Sequence, residues 1–190
     1  MSLQSSPDIT HAMQEVFKQA DCLYSYDQVV AAIDVLAKEI NAVYADQNPL
    51  ILIVMNGGLV FGGQLLSHLN FPLQVDYLHA SRYGDNVQGE ALNWRVKPLT
   101  EIQDRSVLIV DDILDEGKTL LEIIQYCKKQ GASDVRSVVL TDKQHDRKAK
   151  SDLKADFCGL YLEDRFVFGF GMDYQGYWRN APGIYAVKGL

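Results

Sequence analysis

Three continuous apolar runs constrain this chain most: LILIVM at 50–55, SVLIV at 106–110 and VRSVVL at 135–140. Each is of strand length and apolar on both faces, which is what a parallel sheet covered by helices on both sides requires. Residues 118–130, between the second and third runs, read as a helix that stops at Gly131 in a C-cap position. The order strand, helix, strand then implies right-handed crossovers and an α/β fold, a parallel sheet flanked by helices. An amphipathic helix is predicted over 27–44, where Val29, Val30, Ile33, Leu36, Ala37, Ile40, Val43 and Tyr44 recur at spacings of three and four. A shorter helix after Pro7 and Asp8 would carry Ile9, Met13, Val16 and Phe17 on one face.

No repeat, low-complexity run or linker divides the sequence, so residues 1–190 read as a single domain with its core at about 50–160. With 25 Asp and Glu against 18 Lys and Arg, the formal charge is −7, which supplies no basic surface for a nucleic acid. Cys22, Cys127 and Cys158 are odd in number and contain no C-x-x-C, suggesting reduced thiols in a cytoplasmic protein. His11, His68, His79 and His145 have no metal-ligand spacing and read as structural or surface groups. The polar N-terminus lacks a signal-peptide pattern. The apolar stretch 50–66 is shorter than the roughly 20 residues of a membrane span and is broken by Asn56, two glycine pairs and Gln64, so no membrane segment is expected.

Residues 81–97 are polar, with Gly84, Asp85, Asn86 and Gly89, and read as a long loop and candidate mobile lid. Beyond about residue 160, short β-like runs and the aromatic-rich DYQGYWRNAPGIYAV suggest a small hood, to which the N-terminal segment would contribute.

The chemistry concentrates in VLIVDDILDEGKTL, 107–120. A buried strand would bring Asp111 and Asp112 to its C-terminal end, with Asp115 close behind, and Glu116, Gly117, Lys118 and Thr119 would open a helix. In open α/β sheets ligands collect at such edges. The free N–H groups of a helix start suit a phosphate, Gly117 permits close backbone approach, and Thr119 adds a hydroxyl donor. Carboxylates beside a phosphate make sense when they bind its cation or sugar hydroxyls, so the pattern asks for a phosphorylated sugar with Mg²⁺. A plainer reading competes, in which Asp115 or Glu116 only favours the helix dipole. GKT is not a Walker A loop, because Asp112 stands where that motif needs Gly. A response-regulator receiver, which also opens with such a strand, would need more chain after it.

VLIVDDILDEGKTL resembles the phosphoribosyl-pyrophosphate (PRPP) motif of type I phosphoribosyltransferases, and RFVFGFGMDYQGYWRN is similar to the purine-binding end of the hypoxanthine-guanine phosphoribosyltransferase family. The resemblance runs from about residue 50 to 187. It implies that Asp111 and Asp112 bind ribose hydroxyls directly or through Mg²⁺, and that Asp115, Glu116, Gly117, Lys118 and Thr119 hold the 5′-phosphate. Asp115 would also be the general acid or base at purine N7. Lys143 would donate to the 6-oxo group, Phe166 would stack on the base, Val167 would contact its exocyclic edge, Asp173 would be a second Mg²⁺ ligand and Arg179 would contact pyrophosphate. Arg147 matches another family arginine near the site. Met55, Asn56 and Gly57 fall on a pyrophosphate loop with a cis peptide between the first two. Without the family, those glycines are simply a strand-to-helix turn. Ser81 and Tyr83 match a loop that closes over PRPP. Three positions depart from the family: Asn56 replaces Lys or Arg, Glu116 a small hydroxyl residue, and Asp111 a Glu.

The activity so implied is Mg²⁺-dependent transfer of the 5-phosphoribosyl group from PRPP to a 6-oxopurine, in purine salvage, giving IMP or GMP and pyrophosphate. The implied assembly is a homodimer or homotetramer. A rival from another class is a regulatory protein that keeps the fold and senses PRPP or nucleotide. A third reading, transfer to another base, is disfavoured by Lys143, whose ammonium donates to a carbonyl and not to an amino group.

Overall fold

A computed structural model describes residues 7–81 and 93–189. Helix α1 spans Pro7–Gln19, strand β1 Asp21–Tyr24 and helix α2 Tyr26–Tyr44. Then come β2 Leu50–Met55, α3 Gly58–Leu66, β3 Gln74–Ser81, β4 Asn93–Val96, β5 Ser106–Leu114, α4 Lys118–Lys129 and β6 Asp134–Lys143. The last strands are β7 Phe157–Leu162, β8 Val167–Phe168 and β9 Ile184–Ala186. The main sheet has the order β4-β3-β2-β5-β6-β7 and is parallel except for the antiparallel edge strand β4.

The apolar runs sit where two-faced burial demands. Along β5, Leu108 and Val110 face one core with α2 and α3, while Val107 and Ile109 face the other with α4. β2 alternates likewise, Ile51 and Ile53 against Leu50, Leu52 and Val54. Helix α2 starts with a capping box in which Ser25 and Gln28 satisfy each other's backbone N–H groups. It buries Val29, Ile33, Leu36, Ala37, Ile40 and Tyr44, each large apolar side chain contributing on the order of 1.5–3 kcal/mol. Helix α4 ends with Gly131 in the left-handed region, where its N–H bonds to Lys128 and that of Ala132 to Cys127, a Schellman closure.

Three sequence expectations need correction. Strand β5 runs on to Leu114, because Asp111, Ile113 and Leu114 still pair with β6, so the two acids lie within the strand. The strand β6 likewise continues to Lys143. Of the expected loop at 81–97, Ser81 belongs to β3 and residues 93–96 form β4, since the β3–β4 pair adds an edge to the sheet. The remainder of that candidate lid, with Tyr83, lies outside the described residues. No helix of the described residues is long and apolar enough to cross a membrane.

A second sheet, β1-β9-β8, is antiparallel and joins the N-terminal segment to the last one. Helix α1 docks there through Phe17, stacked 4.7 Å from Trp178 and tilted 4.9 Å from Tyr185, and through the Trp178 indole N–H donating to the Met13 carbonyl at 2.8 Å.

The return after β8 meets the turn after β2 at Gly171, whose φ is +108° and where a Cβ would collide with the Gly57 carbonyl. Gly171→Ala therefore adds left-handed strain to a backbone clash and should cost about 1–3 kcal/mol, whereas Gly63→Ala, with open space at a Cβ inside α3, should gain about 0.5–1 kcal/mol. Urea unfolding of both variants checks the contrast, and equal stabilities would contradict it. Burial pushes the Cys127 and Cys158 thiols up to about 11, while Cys22 is exposed. One fast-reacting thiol per chain is expected in native protein at pH 8 and three after denaturation, by timed labelling with a maleimide.

Candidate active site

The C-terminal ends of β2, β5 and β6 open into two adjoining cavities. The larger, about 660 Å³, lies between the turn after β2 and the 111–120 segment, with Arg147 and Arg179 on its wall. The smaller, about 180 Å³, is lined by Asp112, Ile113, Asp115, Lys143, Phe166, Val167, Met172 and Asp173. Asp112, Ile113 and Asp115 belong to both, so a ligand with two parts can span them across β5.

In the larger cavity Asn56 and Gly57 form the turn into α3, and the Met55–Asn56 peptide is cis, as the resemblance implied. Asn56 is exposed. Gly57 is required by Asp112: a Cβ there would run into that carboxylate. Opposite, Leu114 and Asp115 lead into Glu116 and Gly117, then α4. Gly117 is the helix N-cap with φ +78°, and a Cβ on it would strike Leu153. Among the described residues no side chain caps the helix, so N–H groups at its start remain available to an anion, and Thr119 lines the same wall. Glu116 pairs with Lys118.

Asp111 and Asp112 are adjacent in the strand, Asp112 buried and Asp111 partly so. Burial and the neighbouring Asp112 charge push the Asp111 carboxyl well above the ordinary aspartate range. Burial raises Asp112 as well, although a hydrogen bond with Asp111 and the Arg179 charge oppose it. Asp173 is engaged differently, with Oδ1 2.5 Å from Arg179 and Oδ2 accepting from the Gly176 N–H at 2.7 Å. Among the described residues, no three His, Cys, Asp or Glu side chains gather as a complete metal cage. Two repelling carboxylates with hard oxygen donors nonetheless fit Mg²⁺, which commonly takes one or two protein carboxylates and completes its shell with water and substrate oxygens.

Asp115 lies in the opposite electrostatic situation. Burial alone would raise its pKa, but hydrogen bonds and charges from Lys143 and His145 outweigh that and hold it below the usual range. The Lys143 ammonium donates to Oδ2 at 2.8 Å and the His145 Nε2 lies 2.7 Å from Oδ1. Lys143 is itself buried, at the end of β6. Across the smaller cavity Phe166 is 45% exposed, held edge-on against Tyr174, while Val167 and Met172 are buried. The cavity thus has an exposed ring face, an apolar floor, and a cation and a carboxylate at its rim.

The candidates from sequence therefore divide. Asn56, Gly57, Asp111, Asp112, Asp115, Glu116, Gly117, Lys118, Thr119 and Arg179 line the larger cavity; Lys143, Phe166, Val167 and Asp173 line the smaller. Arg179 donates to the Gly171 carbonyl at 2.6 Å, and Arg147 makes two bonds to Asp164, at 2.6 and 2.9 Å. Ser81 ends β3, while Tyr83 is outside the described residues. Sequence reasoning missed Arg95 and His79, which line the larger cavity from β4 and β3, and His145. A sheet edge and a turn bring these three in, and no spacing in the chain marks them.

Buried like charges destabilise a free protein. A raised carboxyl pKa means the proton-bound state is favoured by folding, so this contribution is lost as pH rises through the folded pKa. Asp112→Asn should therefore raise Tm in metal-free buffer at pH 7.5 by about 2–4 °C, corresponding to roughly 1 kcal/mol. A lowered Tm by scanning calorimetry would contradict this cost of the buried carboxylate.

Comparison with known proteins gives a consistent picture. Residues 19–175 match the family model described as the phosphoribosyl transferase domain. The chain is 33% identical over 166 residues to a hypoxanthine-guanine-xanthine phosphoribosyltransferase of Tritrichomonas foetus, covering 87% of this chain and 90% of that one. It is 34% identical over 167 residues to a hypoxanthine-guanine phosphoribosyltransferase of Bacillus subtilis, covering 87% and 92%. Among solved structures, a hypoxanthine-guanine-xanthine phosphoribosyltransferase superposes with a TM-score of 0.81 at 31% identity, over 90% of this chain and 99% of that one.

Proposed function

Because the chain belongs to the phosphoribosyl transferase family, we propose that its two cavities take PRPP and a 6-oxopurine and that it transfers the phosphoribosyl group between them. The products are the nucleoside 5′-monophosphate and pyrophosphate, a purine-salvage reaction. The observation that carries this reading is the pairing of Lys143 and Asp115 at the smaller cavity, beside an exposed Phe166 ring and directly adjoining a phosphate-sized helix start.

In the larger cavity the free N–H groups at the start of α4, with Thr119, receive the 5′-phosphate. Arg179 and Arg95 supply positive charge for the pyrophosphate, which matters because Asn56 carries none. Asp111 and Asp112, with Asp173 on the purine side, would hold Mg²⁺. The cation would supply charge neutralisation for the pyrophosphate and orientation for the ribose hydroxyls. Asp111 and Asp112 also accept directly from those hydroxyls.

In the smaller cavity the base stacks on Phe166, the Lys143 ammonium donates to its 6-oxo oxygen, and Val167 borders its exocyclic edge. The purine nitrogen attacks C1′ as the C1′–pyrophosphate bond breaks, and the N7 proton passes to Asp115. Lys143 and His145 keep Asp115 ionised before the reaction, and the carboxylate becomes the stronger base once Lys143 turns from it to the 6-oxo group. The antiparallel sheet serves as a hood over the base. The relatives' activities support small-molecule substrates, and the same family suggests a homodimer or homotetramer acting in the cytoplasm.

The testing experiment is PRPP consumption and nucleotide formation with hypoxanthine, guanine, xanthine and adenine, with and without Mg²⁺. Turnover with at least one 6-oxopurine and none with adenine is expected. Asp115→Asn should slow that turnover by roughly 10² or more. No turnover with any base would favour a sensor that keeps the fold, and an unchanged kcat in the Asn variant would remove the base role.

A further inference from the structure

The carboxylate of Asp115 has both oxygens occupied in this structure, Oδ2 by Lys143 and Oδ1 by His145. If Lys143 turns to a purine 6-oxo group, Oδ2 loses that partner and, among the described residues, His145 alone still fixes the rotamer. His145 is built for that task. Its side chain is 3% exposed, and it lines neither cavity. The Arg147 backbone N–H donates to Nδ1 at 3.0 Å, so in the neutral ring Nδ1 is the acceptor and Nε2 carries the proton toward Asp115.

The turn that carries the imidazole is fastened on three sides. The Gln144 N–H bonds to the Leu162 carbonyl at 2.7 Å, and the Ala149 N–H to the Glu116 carbonyl at 2.7 Å. Between them the largely buried Lys148 side chain donates its ammonium to Asp142 Oδ1 at 2.6 Å and to the Leu114 carbonyl at 2.8 Å. The ring is therefore positioned by the ends of β5, β6 and β7 together. A polar ring so held, away from any ligand surface, acts on what it touches.

We propose that His145 is a positioning residue for the phosphoribosyl transfer, donating through Nε2 to Asp115 so that the carboxylate keeps its place and orientation when Lys143 engages the base. This rests on Asp115 acting as the base. Two polar substitutions separate the role from simple support of the turn. In His145→Gln the amide nitrogen reaches about where Nε2 lies and can still donate to Asp115. In His145→Asn the amide oxygen falls near Nδ1, so the Arg147 contact survives while the bond to Asp115 is lost.

Steady-state kinetics of both variants, each also combined with Asp115→Asn, tests the proposal. His145→Gln should stay within about twofold of the parent, and His145→Asn should lose about tenfold in kcat, the scale of a lost hydrogen bond to a charged group, with the PRPP KM unchanged. In the Asp115→Asn background, His145→Asn should cause no further loss. Equal rates for the Gln and Asn variants, or a tenfold loss that persists without the Asp115 carboxylate, would overturn it. If Asp115→Asn is slow while His145→Asn is normal, only the role of His145 fails. If Asp115→Asn is itself fully active, the base reading fails and takes this one with it.

Discussion

The Asp112 carboxylate lies against Gly57 so closely that no side chain fits between them, and the Gly57 carbonyl occupies the space a Cβ on Gly171 would need. Three segments far apart in sequence are thereby pressed together: the turn after β2, the acid-bearing strand β5 and the return from β8. Gly58 extends the contact, since a Cβ there would come 2.7 Å from the Val110 carbonyl. The closeness creates the shared wall between the two cavities, and it also buries Asp112 beside the partly buried Asp111. Their repulsion in the free protein is a cost that anionic substrate with its cation can relieve, which links the stability of the empty site to what it binds.

Along a few residues of one strand end, carboxylates are driven in opposite directions. Asp111 and Asp112 are raised by burial, with like charge adding to the effect at Asp111, while Asp115 is lowered because Lys143 and His145 outweigh its burial. Carboxylates whose environments separate their affinities for protons can take separate jobs at one pH. A bound cation would offset the cost of the first pair's burial, while the third stays ionised beside Lys143 and His145 and gains proton affinity only when Lys143 leaves it. The net charge of −7 is compatible with an anionic substrate: in the proposed arrangement backbone N–H groups, Arg179 and Arg95 would face the phosphates, and the acids at the site would face sugar and cation.

Much of this architecture was legible in the chain. The runs at 50–55, 106–110 and 135–140 identify strands because two-faced burial leaves few polar positions, and α2 is written in the spacing of Val29, Ile33, Leu36 and Ile40. The strand ends were not legible: β5 continues through Asp111 and Asp112, whose polarity hides the pairing with β6. β4 was hidden among polar residues because an edge strand needs only one apolar face, supplied by Trp94 and Val96. His145 resembled any surface histidine, since its meaning comes from a turn held by Lys148 and Ala149. Asp115 and Lys143 could be assigned from the family pattern, but their direct bond belongs to the folded chain.

A crystal structure of the protein with its nucleoside 5′-monophosphate product tests the central claim most directly, because that molecule must occupy both cavities at once. The account requires the purine ring on Phe166 with its 6-oxo oxygen at Lys143, N7 beside Asp115, and the phosphate at the N–H groups that begin α4. A nucleotide bound with its base in the larger cavity, or away from the shared wall formed by Asp112, Ile113 and Asp115, would contradict it.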